Sequence, residues 1–305
     1  MKENHNKRIR LKKELGQFFL RDISIANRIA LSVPTEPLVV EIGPGDGALT
    51  KELINTGHKV IGVELDREMI GLLEQRFEHR RDFRLIHGNI LKVDWEMIAE
   101  KADRLVVAGN LPYHLTSPIL FNVFEIVRKG NKSYECALQR VSTNPSIPKT
   151  LCTEVRTQNS YLQENVRIEE MVIMVQREVG IRLTANSGCR DCSALTLLTR
   201  YHGTPEYLFT VPSDCFRPMP KVDGAVIKIV FHQADQFPDV DYNEFRRIVR
   251  GSFAQRRKMM RNALGVIKDL PEGWRDLDYD FRLRPEAFSF DDFVNLTNDL
   301  QRLSI

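Results

Sequence analysis

No apolar run in the 305 residues approaches the roughly 18 that a membrane-spanning helix requires. Cysteine is scarce and odd in number, and five thiols fit a reduced compartment better than a disulfide framework. Residues 1–13 are basic yet lack the apolar stretch of a secretory signal peptide. No internal repeat is visible. An apolar fraction of 42% against 28% charged residues excludes whole-chain disorder and a collagen-like chain. These absences predict a cytoplasmic globular protein without a membrane partner.

Net charge is also small: 44 Lys and Arg against 41 Asp and Glu leave +3. The sum conceals an uneven distribution. Residues 1–13 carry six basic side chains and one acidic, and residues 241–268 carry eight basic and two acidic. Residues 269–301 reverse the sign, with nine acidic and three basic. Basic clusters of this kind attract phosphate backbones, although a charge run alone is more often a solvated face.

Length and pattern predict one large α/β domain, residues 1–235, and a smaller helical one, residues 236–305. Leu38–Ile42, Val60–Glu64, Phe83–Ile86 and Leu105–Ala108 are short, branched and apolar, as buried strands are. Ala48–Asn55, Arg67–Glu78 and Trp95–Lys101 between them have helical spacing, and the alternation implies a parallel sheet covered on both faces. Met171–Gln176 and Ala225–Phe231 are further strand candidates. Residues from Asp241 onward read as helix. The polar stretch 130–167 reads as an inserted surface loop with room for a short helix.

The first predicted strand runs into Gly43-Pro44-Gly45-Asp46-Gly47 and then a helix, the arrangement in which a backbone approaches a nucleotide-containing cofactor. The next strand ends at Glu64, whose carboxylate suits ribose hydroxyls; Asn89, after the third, suits an adenine amine. The same geometry serves dinucleotides and S-adenosylmethionine, so the loop alone leaves an NAD-dependent oxidoreductase open. The fourth strand leads to Asn110-Leu111-Pro112-Tyr113. An exocyclic adenine amine is a poor nucleophile because its lone pair is delocalised into the ring. The Asn110 side-chain carbonyl and the Leu111 backbone carbonyl could accept its hydrogens, Pro112 would stiffen the turn, and Tyr113 would stack an extruded base. A sulfonium donor needs neither metal nor strong base, so no metal site is expected.

At these residues the sequence resembles the small-subunit (16S-type) rRNA adenine N6,N6-dimethyltransferases, the kasugamycin-resistance enzymes. Eight segments carry the likeness in order: Leu15–Asp22, Glu41–Thr50, Val63–Asp66, Gly88–Leu91, Gly109–Leu120, Met174–Val179, Phe216–Asp223 and Phe253–Lys258 with Arg261-Asn262. The resemblance implies a Rossmann-like S-adenosylmethionine-dependent methyltransferase domain with a small all-helical C-terminal domain. It implies two adjacent adenosines in the 3′-terminal hairpin of small-subunit rRNA as targets, within a pre-30S-type subunit, and a monomeric enzyme. Cofactor contacts would fall on Phe18, Leu20, Gly43, Gly45, Glu64, Asn89 and Asn110. Catalysis would fall on Asn110, Leu111, Pro112 and Tyr113, with Phe216 a second ring for the base. Large-subunit rRNA methyltransferases of the antibiotic-resistance type and a non-catalytic ribosome-assembly factor are the rival readings. Three departures from the family pattern stand out: Phe18 where Asn or His is usual, Asn89 where Asp is usual, and the extra residues 130–167.

Spacings of 4, 7 and 4 predict Arg246, Arg250, Arg257 and Arg261 on one face of a continuous helix. With Arg256 and Lys258 they form the candidate RNA-binding set, opposite an apolar face of Phe245, Ile248, Val249 and Phe253. Cys189 and Cys192 have the spacing of half a zinc site, which Cys136 and Cys152 could complete in principle, but only one pair has ligand spacing, so zinc is not expected. His114 reads as a packing or solvent residue, not a base.

Overall fold

A computed structural model describes residues 18–99, 102, 104–143 and 166–304, with side chains beyond Asn131 in the 104–143 stretch left out. By packing, the chain divides into two units: residues up to Arg177 with Leu208–Lys228, and Glu178–Tyr207 with Ile229 onward. The expected single cut after residue 235 is therefore not where the packing divides. Residues 178–207 pack with the C-terminal part instead.

The first unit holds most of a seven-stranded sheet, of which Gly203–Tyr207 and Ile229–Phe231 fall in the second. The sheet's strands are β2 (Leu38–Ile42), β3 (Val60–Glu64), β4 (Phe83–His87), β5 (Leu105–Asn110), β6 (Ile168–Gln176), β7 (Gly203–Val211) and β9 (Gly224–Phe231), in the order β4-β3-β2-β5-β6-β9-β7. The pairs β4–β3, β3–β2, β2–β5 and β5–β6 are parallel. The central strands Leu-Val-Val-Glu-Ile, Val-Ile-Gly-Val-Glu and Leu-Val-Val-Ala-Gly-Asn are buried on both faces, which is why they lack polar alternation. Edge strand β4 is only half-buried and carries Arg84 and His87 outward. A short antiparallel pair stands apart: β1 (Phe19–Leu20) with β8 (Phe216–Arg217), setting Leu20 opposite Phe216.

Helices α1 (Ile23–Leu31), α2 (Ala48–Asn55), α3 (Arg67–Arg76), α4 (Trp95–Ala99) and α5 (Thr116–Thr143) connect the strands. Asp22 caps α1 by accepting from the Ser24 and Ile25 amides, and Asp66 caps α3 through Glu68. Chain order runs outward from β2 through β3 to β4, then returns to β5 on the other side of β2. That reversal opens a crevice at the carboxyl ends of β2 and β5. The region read as a polar loop begins as helix, since α5 continues to Thr143. The remainder of that insertion, 144–165, lies outside the described residues.

The second unit holds most of α6 (Arg177–Thr184), α7 (Ala194–His202), α8 (Tyr242–Ala254), α9 (Met260–Leu264) and α10 (Phe290–Leu303). Capping boxes start α7 at Ser193 with Thr196 and α10 at Ser289 with Asp292. Aromatic side chains form much of its core: Tyr201 packs on Tyr242 and Phe245 at 5.0 Å, and Phe253 stacks on Phe293 at 6.0 Å. The unit also contains the ends of β7 and β9, so it is mainly, not purely, helical. Among the described residues no helix is long and apolar enough to cross a membrane.

The continuous basic helix expected through Arg246–Arg261 is broken. α8 stops at Ala254, and α9 starts only at Met260, whose amide donates to the Leu283 carbonyl at 2.7 Å. Arg261 donates its own amide to Phe281 at 3.0 Å, so residues 281–283 fix where the second helix begins. Arg257 and Arg261 thus do not continue the face of Arg246 and Arg250. Arg250, Arg257, Lys258 and Arg261 are exposed, whereas Arg246 and Arg256 are half-buried. Arg256 is engaged inside the unit, donating to the Arg190 carbonyl and lying 4.0 Å from Glu286.

Candidate active site

The crevice at the sheet's reversal is a cleft of about 1080 Å³ including its open mouth. All seven residues expected to hold a cofactor line it: Phe18, Leu20, Gly43, Gly45, Glu64, Asn89 and Asn110. They come from five strands and the turns beside them, which only the fold brings together. Gly43, Gly45 and Gly47 have φ of +64°, +60° and +80°, so the turn after β2 takes a left-handed path that glycine tolerates. A Cβ on Gly43 would enter open space, which leaves the backbone there free to touch a ligand.

Glu64 ends β3 with 6% exposure, and its carboxylate is already bonded by backbone amides. Oε2 accepts from Gly45 at 3.0 Å, and Oε1 accepts from Leu65 and Asp66, each at 2.8 Å. A carboxylate has about four acceptor directions, so three backbone donors leave roughly one for a ribose hydroxyl. The Gly45 bond ties the glycine turn to this carboxylate. Asn89 accepts from the Leu91 amide at 3.0 Å, a local turn that fixes its side chain and leaves its amide hydrogens to donate.

Sequence reasoning passed over two cleft carboxyls. Glu41 is 1% exposed, accepts from Thr50 Oγ1 at 2.6 Å, and is pushed up to about 8 by burial. Asp46 pairs with Arg21 at 3.0 Å; burial raises it, and Arg21 and Arg76 offset only part of that rise. Both lie inside the Glu41–Thr50 segment, where an acidic residue among apolar and glycine neighbours was the available signal.

Asn110 closes β5 opposite Met174, and the Leu111 amide donates to the Met174 carbonyl at 3.0 Å. The Pro112 carbonyl accepts from the Leu115 amide at 2.9 Å and from Thr116 Oγ1 at 3.3 Å, which makes the turn tight. Asn110 Nδ2 donates to the Phe18 carbonyl at 2.7 Å, so Oδ1 is the acceptor left to present. The Tyr113 ring is half-buried and packs on the Phe18 ring, centroids 5.2 Å apart and tilted by 30°. Burial, with the charge of Asp223 adding to it, raises the Tyr113 phenol. His114 is exposed.

Phe216 is not placed as expected. It is 1% exposed and belongs to the core cluster that includes Leu20, Met174, Val211 and Val226, because β8 pairs with β1 and turns the ring inward. No face of it is available to a base in this conformation. The ring that does adjoin Tyr113 is Phe18. Cys189 and Cys192 are free thiols, with Cys192 buried and its thiol pushed up by that burial, and no metal-binding cluster occurs among the described residues. Cys152 and the Cys136 side chain lie outside them.

The donor set fits S-adenosylmethionine: an open glycine turn, a carboxylate at the second strand end, an amide at the third, and no cationic side chain lining the cleft among the described residues. Comparison with known proteins points the same way. The sequence is 34% identical over 293 residues to the Ribosomal RNA small subunit methyltransferase A of Pseudomonas fluorescens (strain Pf-5), covering 95% of this chain and 94% of that protein. Identity is 32% over 296 residues to the protein of that name from Pseudomonas aeruginosa, with 96% of each covered. The fold is shared with a dimethyladenosine transferase from Plasmodium falciparum, at a TM-score of 0.64 and 20% identity over 94% of this chain and 98% of that one. The 23S rRNA methyltransferase ErmE shares it at a TM-score of 0.57 and 19% identity, over 92% and 99%. Residues 8–273 match the family described as Ribosomal RNA adenine dimethylase, and the chain belongs to that family.

Proposed function

We infer that this rRNA adenine dimethyltransferase acts on the small subunit, placing two methyl groups on N6 of each of two adjacent adenosines in the 3′-terminal hairpin. The observation that carries the reading is the meeting of two structures at neighbouring strand ends. The cleft formed by Gly43, Gly45, Glu64 and Asn89 is continuous with Asn110 and Pro112, and Tyr113 follows directly. S-adenosylmethionine supplies an electrophilic methyl group when bound. The chain's own residues handle the acceptor. Asn110 Oδ1, oriented by the Phe18 carbonyl, and the Leu111 carbonyl accept hydrogen bonds from the N6 amine, which draws its lone pair out of conjugation. The amine nitrogen would form the new bond to the methyl carbon as the donor's sulfur–carbon bond breaks, its electron pair staying on sulfur to leave a neutral thioether, and the amine then loses a proton to solvent. Tyr113 holds the extruded base by stacking. The exposed Arg250, Arg257, Lys258 and Arg261 engage phosphates in the same substrate. The enzyme works as a cytoplasmic monomer on a pre-30S-type particle.

The deciding experiment is incubation with labelled S-adenosylmethionine and unmethylated small subunits, beside unmethylated large subunits, followed by nucleoside mass analysis. Dimethyladenosine from the small subunit is expected. Monomethyladenosine alone, or product only from the large subunit, would overturn the reading.

A further inference from the structure

Phe18 stands at the seam between the two halves of the site. It lines the cofactor cleft, its carbonyl accepts from Asn110 Nδ2 at 2.7 Å, and its ring lies against Tyr113 at 5.2 Å. Tyr113 needs such support. Its hydroxyl is buried without a hydrogen-bond partner among the described residues, so no polar contact there fixes the ring's angle. A base sandwiched between two rings requires about 7 Å between them, twice an ordinary contact of about 3.5 Å. At 5.2 Å and 30° the Phe18 side of Tyr113 is closed to a base. The opposite face alone is left for it. Phe216, being core, is not a competing ring.

We propose that Phe18 is a positioning residue for methyl transfer: its ring backs Tyr113, so that the target adenine is the outer layer of an adenine–Tyr113–Phe18 stack, while its carbonyl aims Asn110. The inference rests on the base-stacking role given above to Tyr113. It separates two contributions of one residue. A side-chain substitution removes the ring but keeps the carbonyl, so the Asn110 bond survives and only the angle of Tyr113 is released. Misplacement of a reacting group by about 1 Å costs on the order of 100-fold in rate, and the loss should appear in transfer and not in cofactor affinity.

The test compares Phe18→Leu and Phe18→Tyr with the unaltered protein. Three quantities are read: S-adenosylmethionine affinity by calorimetry, kcat and KM on under-methylated small subunits, and fluorescence of a target-site hairpin RNA carrying 2-aminopurine at the adenosine. Phe18→Leu is expected to keep cofactor affinity within about threefold, to lose roughly 10- to 100-fold in kcat, and to quench 2-aminopurine less. Phe18→Tyr, which restores a ring, should recover both quenching and rate. Full rate and quenching in Phe18→Leu would overturn the proposal. So would a loss of cofactor affinity as large as the loss in kcat/KM, which would make Phe18 a wall of the cofactor cleft only. An unaltered protein that transfers no methyl group would instead overturn the function on which the inference rests.

Discussion

At the scale of single residues, Asn89, a departure from the family pattern, and Glu41, a buried carboxyl the sequence did not single out, behave differently. Asn89 spends its carbonyl oxygen on the Leu91 amide at 3.0 Å, a bond that an aspartate makes equally well. Asn89→Asp therefore keeps the turn and adds a charge-assisted acceptor toward the cofactor's adenine. Calorimetry should give equal or tighter S-adenosylmethionine binding, and a large loss would show that the Asn89 amide hydrogens are what the cofactor meets. Glu41 lends itself to a pH experiment. Burial, opposed by the Thr50 hydroxyl and reinforced by Glu64 and Asp46, lifts its carboxyl from 4.5 to about 8. Between those values the folded state keeps a proton that the unfolded chain has released. Folding is thus favoured most at the acid end, and stability falls as pH rises toward 8, by up to about 1.4 kcal/mol per pH unit. Glu41→Gln carries no such proton, so urea unfolding at pH 5 and pH 8 should show a smaller decline than in the unaltered protein. Parallel declines would mean that Glu41 titrates alike in both states.

At the scale of elements, what could be read in advance was whatever local pattern encodes. The apolar, branched runs at 38–42 and 60–64 and the helix at 48–55 lie where their periodicity places them. β7 went unread because Pro205 and Glu206 interrupt it and its burial alternates. The pairing of β1 with β8 joins residues nearly two hundred apart, and two-residue strands leave no periodic trace. The same long-range pairing buries Phe216, so the misplaced base ring and the missed strands share a cause. The seven positions expected to hold the cofactor converge on one cleft because the strand ends are fixed by the sheet, which resemblance and topology both encode. Gly109 shows how closely. A Cβ there would stand 2.6 Å from the Ile42 carbonyl oxygen, at the place where β2 hands over to Gly43 and β5 ends at Asn110. Gly109→Ala must part those two ends, and a loss of about 1–3 kcal/mol in urea unfolding is expected, with weakened S-adenosylmethionine binding by calorimetry. The broken basic helix has its own consequence. Arg257 lies within the break and Arg261 in the first turn after it, and both are exposed. Replacing both by alanine should flatten the plot of log affinity against log salt by about 0.7–0.9 for each phosphate left without its cation. An unchanged slope would remove them from the RNA interface.

At the scale of the whole molecule, the net charge of +3 conveys less than its distribution, and the insertion at 130–167 conveys less than its closure. Gly130 lies in α5, and a Cβ there would collide with the carbonyl oxygen of Val166, just ahead of β6. The chain therefore departs and returns through one narrow neck at which the two backbones touch. The parallel β5–β6 pair, which sets Asn110 opposite Met174, lies on the sheet side of that neck. Among the described residues, every one that lines the cleft lies outside 131–167. Loop-closure entropy changes by only about 0.6 kcal/mol for each doubling of length, so shortening the excursion should favour folding slightly if it changes stability at all. Replacement of residues 132–164 by a short Gly-Ser link is expected to leave urea-unfolding stability within about 1 kcal/mol and S-adenosylmethionine affinity unaltered. Affinity for the small subunit, measured alongside, then reports what the insertion adds to docking. Loss of folding in the shortened chain would mean that the sheet depends on the excursion, and that the close approach of Gly130 to Val166 does not suffice to close the domain.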